Sequence, residues 1–65
     1  MDLWTINDGM GEWVRYYNHT GHVMVFTRNR DEAMRTTDSA DAFEIARIAR
    51  TVYRRPNMRM AIVLN

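Results

Sequence analysis

The sequence predicts an α+β fold: an antiparallel sheet of four to five short strands with one helix packed on one face, in the order β-β-β-(β)-α-β. Three observations predict it. Three early segments read as strands, two by their period-two faces and the third, His22 to Thr27, by its density of Val23, Met24, Val25 and Phe26, and they are separated by turns rich in Gly and Asn. One stretch, Asp38 to Arg55, repeats its apolar residues at helical spacing and stops before Pro56. A last alternating segment, Met58 to Leu64, follows it. Residues 1–65 are read as a single domain.

The first strand is Met1 to Asn7, with Leu3 and Thr5 on one face and Trp4 and Ile6 on the other. Asp8-Gly9-Met10-Gly11 is turn chemistry, because glycine reaches positive φ at little steric cost. Glu12 to Asn18 is the second strand, where Trp13, Arg15 and Tyr17 alternate against Val14 and Tyr16. Asn18-His19-Thr20-Gly21 is a second tight turn, and His22 to Thr27 the third strand. Strands joined by such short turns run antiparallel. A charged turn, Arg28 to Asp31, leads to Ala33 to Thr36, the optional fifth strand. In the last strand Met58, Met60, Ile62 and Leu64 alternate with Arg59, Ala61 and Val63. Its second half is apolar on both faces, which predicts an inner place in the sheet.

Asp38 is a strong N-cap, and Asp41 stands where a capping box places its return acceptor. Acidic residues fill the first half and arginines the second, matching the helix dipole. At about 100° per residue, Ala42, Ile45, Ala46, Ile48, Ala49, Val52 and Tyr53 gather on one side. Three alanines there allow close approach to a sheet. Phe43, Arg47, Arg50 and Arg54 form a second stripe, expected to be free for a partner, since arginine and aromatics are enriched at interfaces. A solvated arginine face is the competing reading. One helix covers only one side of such a sheet. The other side would carry either Trp4, Ile6, Val14 and Tyr16, or Leu3, Trp13 and Tyr17, so Trp13 and Tyr16 are further partner-binding candidates.

A net charge of +1 argues against a generic polyanion binder. The distribution is uneven: six of the nine basic residues, all arginine, lie in residues 33–65. That leaves nucleic-acid binding as the alternative function, with helix arginines on phosphates and Trp13, Tyr16 or Tyr17 stacking on bases. With no cysteine, no disulfide or thiolate metal site can form. A domain this short buries only about 60% of its unfolded surface, so tight packing as a monomer or pairing as a homodimer is expected. The N-terminus has no basic region or long apolar run, and no segment approaches the roughly 18 apolar residues of a membrane span. No membrane partner is expected, and the expected location is the cytoplasm. His19 and His22 are too few for a zinc site. Ser39, the sole serine, is explained by its place in the first helical turn. Gly9 and Gly11 have no helix after them to make a phosphate loop. Neither enzymatic activity nor a cofactor is expected.

From Phe26 the chain reads Phe26-Thr27-Arg28-Asn29-Arg30-Asp31-Glu32-Ala33-Met34, then Thr37-Asp38-Ser39-Ala40-Asp41-Ala42, then Ile45-Ala46. This cadence resembles small bacteriophage proteins: a strand ending in Phe-Thr, a charged turn, a capped helix and a final strand. It covers the second half of the chain. The resemblance implies a protein that binds a host machine, as anti-CRISPR proteins and phage inhibitors of host RNA polymerase do. The partner would then be a host protein complex, in the host cytoplasm if the chain is phage-encoded, and one that itself handles nucleic acid is compatible with this. The resemblance assigns no role to any single residue.

Overall fold

A computed structural model of the chain describes residues 1–63. The architecture is α+β: one four-stranded antiparallel sheet and one helix. The strands are β1 (Trp4–Asn7), β2 (Trp13–Asn18), β3 (Val23–Thr27) and β4 (Arg59–Ile62), in sheet order β3-β2-β1-β4. A short 3-10 turn, Arg30–Glu32, and the helix α1, Ser39–Thr51, connect β3 to β4. The chain therefore leaves the sheet at one edge, crosses a face and re-enters at the other edge. The two tight turns fall where glycine and asparagine place them. Gly9 and Gly11 take φ of 76° and 99°, and Asn18 Oδ1 accepts from the Thr20 and Gly21 N–H groups.

The expected fifth strand exists only as a single bridge, Trp4 to Thr36. Its position is informative. β1 and β2 are paired only at Asn7 and Trp13, and residues 34–36 occupy the gap where the strands part. Trp4 and Thr36 exchange backbone hydrogen bonds at 2.7 and 2.9 Å. The Met34 N–H donates to the Val14 carbonyl at 3.0 Å, and the Thr5 hydroxyl donates to the Met34 carbonyl at 3.1 Å. The connection is thus wedged into the sheet, with its polar backbone satisfied on both sides.

The place of β4 and the end of the helix both differ from expectation. β4 lies at an edge, not inside, because β1 takes the inner place between β4 and the wedge. The double-faced apolar character of β4 serves instead to pack Met60 towards the helix while Ala61 and Val63 line a cavity on the opposite side. Leu64 lies outside the described residues. The helix also ends at Thr51, short of Arg55. A residue before proline is pushed out of the helical region, so Arg55 cannot remain helical ahead of Pro56. The chain turns off earlier: Arg54 has φ 53°, and the Arg55 N–H reaches back to the Ala49 carbonyl at 3.0 Å.

At the helix start, Asp38 accepts from the Ala40 and Asp41 N–H groups at 3.0 and 3.2 Å. The return bond comes from Thr36, whose hydroxyl accepts from the Asp38 N–H, while the Asp41 carboxylate meets His19 at 3.1 Å. Ala42, Ile45, Ala46 and Ala49 are buried against Ile6, Val14, Met24 and Met58. Val52, expected in this core, is 66% exposed because it sits where the chain leaves the helix. Tyr53 and Arg55 then cover the β3 side. The Tyr53 ring meets Phe26 edge-on, and the Arg55 guanidinium stacks over Phe26, 4.3 Å from the ring centre, while bonding Glu12. These contacts tie the end of the helix to the strand farthest from β4.

Candidate partner-binding surfaces

The helix stripe of Phe43, Arg47, Arg50 and Arg54 is not a free guanidinium face. Arg47 forms a two-pronged pair with Glu44 one turn earlier, through both Nε and an Nη nitrogen. That pair raises the Arg47 pKa and holds the Glu44 carboxyl below the usual carboxylate range, the hydrogen bond being the main cause of each shift. Arg50 is half-buried and donates to the Met58 carbonyl at 2.9 Å, fixing the helix to the entry of β4. Arg54 lies beyond the helix in the left-handed region, so it does not continue the row. Phe43 alone keeps the expected character, a large apolar side chain 56% exposed.

The uncovered face of the sheet brings its candidates together. Regular alternation would put Trp13 and Tyr16 on opposite sides. A bulge lies between Val14 and Tyr16, with Arg15 as the extra residue. Past it the alternation restarts, so Tyr16 pairs with Val25 on the side where Trp13 pairs with Thr27. Tyr17 pairs with Met24 and packs towards the helix. The sheet face away from the helix therefore combines members of both sets named from sequence. Tyr16 is 51% exposed, and Val23 and Val25, which share its face, are 50% and 39% exposed. Sequence reasoning missed these two valines. The signal was present: they alternate with Met24 and Phe26, and one helix cannot bury both faces of so apolar a strand.

Polar groups frame this face. Arg15 approaches Glu32 at 3.9 Å, and Glu32 also accepts from the Thr27 hydroxyl at 3.0 Å. Tyr16, Val25, Arg15 and Glu32 line one shallow depression. A second cavity, of about 260 Å³, opens beside the wedge, with Thr5, Trp13, Ala61 and Val63 on the sheet side and Arg30 and Arg35 on the connection side. Neither arginine entered the reading of the sequence as a site residue.

Among the described residues, no three His, Asp or Glu side chains come together as a metal-binding group. His19 packs edge-on against Tyr17 as well as meeting Asp41, while His22 occupies a turn at φ 54°. No described helix is long and apolar enough to cross a membrane. Comparison of the chain with protein-family models, curated proteins and solved structures finds no match.

Proposed function

We propose that this protein acts by stoichiometric binding to another protein, through the sheet face that the helix leaves uncovered. The observation that carries the reading is the grouping of half-buried Trp13 with exposed Tyr16, Val23 and Val25 on that face, apolar surface left uncovered by a domain with little core to spare. Aromatic anchors surrounded by a polar rim suit a protein interface. The resemblance of the second half of the chain to small phage proteins supports an inhibitor of a host defence complex, anti-CRISPR-like, working in the host cytoplasm without catalysis. The second reading is nucleic-acid binding. It is favoured by one observation, that Arg30 and Arg35 line the same cavity as Trp13.

The test uses the partner that the chain retains from a host lysate, identified by mass spectrometry, with affinities then measured on the purified pair. Tyr16→Ser with Val25→Ser is expected to weaken binding at least about 100-fold, as for two interface anchors. Phe43→Ser with Arg47→Ser is expected to change it less than about threefold, since Arg47 already has its partner. Unchanged affinity in the sheet variant, with an unchanged thermal melt, would reject this surface. A titration against single-stranded oligonucleotide at two salt concentrations separates the second reading, which requires an affinity that falls steeply with salt.

A further inference from the structure

We infer that two copies of this chain pair through the free edge of β3, antiparallel about a two-fold axis at Val25, to form one continuous sheet. The inference goes beyond the sheet-face reading and does not rest on it, because edge pairing leaves the outer face of both copies open. β3 stands at the end of the sheet, and no backbone–backbone hydrogen bond among the described residues joins Val23–Thr27 to anything but β2. An edge strand turns alternate N–H and C=O groups outward, a ready row for another strand. Soluble domains ordinarily blunt such an edge with a charge, a proline or a bulge. β3 has none of these: Val23-Met24-Val25-Phe26-Thr27 is uncharged and free of proline, and the bulge of this strand pair lies in β2. Tyr53 closes only the approach to the strand, its hydroxyl donating to the His22 carbonyl. The opposite edge differs. β4 opens on the exposed Arg59, and Arg50 holds the Met58 carbonyl just before it.

The occupant is a second copy because β3 complements itself. Residues directly opposite in an antiparallel pair point to the same face. The register centred on Val25 is the one that pairs every residue of β3 with a residue of its copy. On the outer face Val23 then meets Thr27 of the copy, and Val25 meets its own counterpart. All are β-branched side chains suited to cross-strand packing. On the helix side Met24 meets Phe26, a sulfur–aromatic contact. No paired position is ionisable, so self-pairing sets no like charges opposite each other. The junction also accounts for the exposure of Val23 and Val25. An edge strand has a neighbour on one side only, and the copy supplies the other. Tyr16 already stands opposite Val25, so one apolar row runs through the axis from the Tyr16 of one copy to that of the next. A domain this small has little core, and joining two copies covers apolar surface that neither covers alone. An isologous contact of this kind closes at two subunits.

The experiment measures mass by sedimentation across a dilution series of the full chain, and amide hydrogen exchange by NMR at its two ends. The mass is expected to double towards high concentration. The β3 amides that face away from β2 are expected to exchange at least about tenfold more slowly there. Val23→Lys with Val25→Lys sets like charges opposite each other at the junction and should raise the dimer dissociation constant about tenfold or more. Both valines are exposed, so the variant is expected to keep its fold. Tyr16→Ser, one strand back from the junction, should change that constant less than about threefold. A single-chain mass at every concentration up to about 1 mM would overturn the inference. So would a doubled mass with unchanged β3 exchange, which places the contact elsewhere, or a dimer lost in Tyr16→Ser and kept in the lysine variant. Protection of β3 only on adding the captured partner would assign the edge to a foreign strand instead. The sheet-face reading is judged separately, by the affinity of that partner.

Discussion

Arg54 carries a backbone conformation that its side chain does not favour. A residue with a Cβ in the left-handed region costs about 1–2 kcal/mol, and glycine escapes this at a smaller entropic cost. Arg54 stands there at φ 53°. Arg54→Gly is therefore expected to stabilise the fold by up to about 1 kcal/mol, read as a rise of roughly 4–8 °C in thermal melting for a domain of this size. No change would mean that the exposed guanidinium has a compensating role. This conformation was not legible in the sequence, because the residue type gives no warning of it. The glycine turn was legible, since Gly9 and Gly11 sit at positive φ where their freedom is needed. Gly9 also leaves room for Arg59, whose guanidinium lies 2.7 Å from where a side-chain carbon would stand.

At the scale of elements, two arginines one turn apart on α1 do different work. Arg50 bridges the helix to the Met58 carbonyl from a half-buried position, whereas Arg47 is exposed and held by Glu44. Arg50→Met is expected to cost about 1–2 kcal/mol, because a partly buried carbonyl loses a charged donor. Arg47→Ala is expected to stay within about 0.5 kcal/mol, the usual worth of an exposed ion pair. Chemical denaturation of both variants checks the contrast, and equal costs would contradict the geometry. The helix itself was plain from Asp38, the alanine-rich face and Pro56. Its early end was not, because it depends on where Tyr53 and Arg55 find Phe26. The bulge at Arg15 was equally hidden, since that stretch carries no glycine to announce it. For that reason Trp13 and Tyr16 could be named as candidates but not placed together.

The whole molecule should be more sensitive to acid than its small net charge suggests. The Met10 N–H, donating to Asp8 Oδ1 at 2.7 Å, is the main reason the Asp8 carboxyl sits below its ordinary pKa; the Glu12 N–H and the Arg28 charge act the same way. The Glu44 carboxyl is lowered by Arg47. A carboxyl whose folded pKa is depressed stabilises the fold above its unfolded pKa, about 3.9 for Asp and 4.3 for Glu. That contribution disappears as pH falls through the lower, folded value. Melting temperature should therefore be flat from neutrality to about pH 5 and fall below about pH 4. Asp8→Asn keeps an oxygen acceptor but no charge, and should flatten part of that decline. An identical acid profile in the variant would remove Asp8 from the account. The α+β class and a sheet of four to five strands could be read from alternation and turns, but not that the optional fifth would be a single bridge. The strand order could not, because the path of residues 28–38 through the sheet leaves no periodic trace.

That path has a consequence for how the chain tolerates change. Surface connections ordinarily accept insertions and cuts with little penalty. Here residues 34–36 brace β1 on one flank and reach β2 on the other, while Thr36 also holds the helix cap. The longest connector in the molecule is thus an internal strut. A tag, protease site or permuted terminus placed in it would unseat two strands and a helix at once, whereas the Thr20–Gly21 tip should accept one.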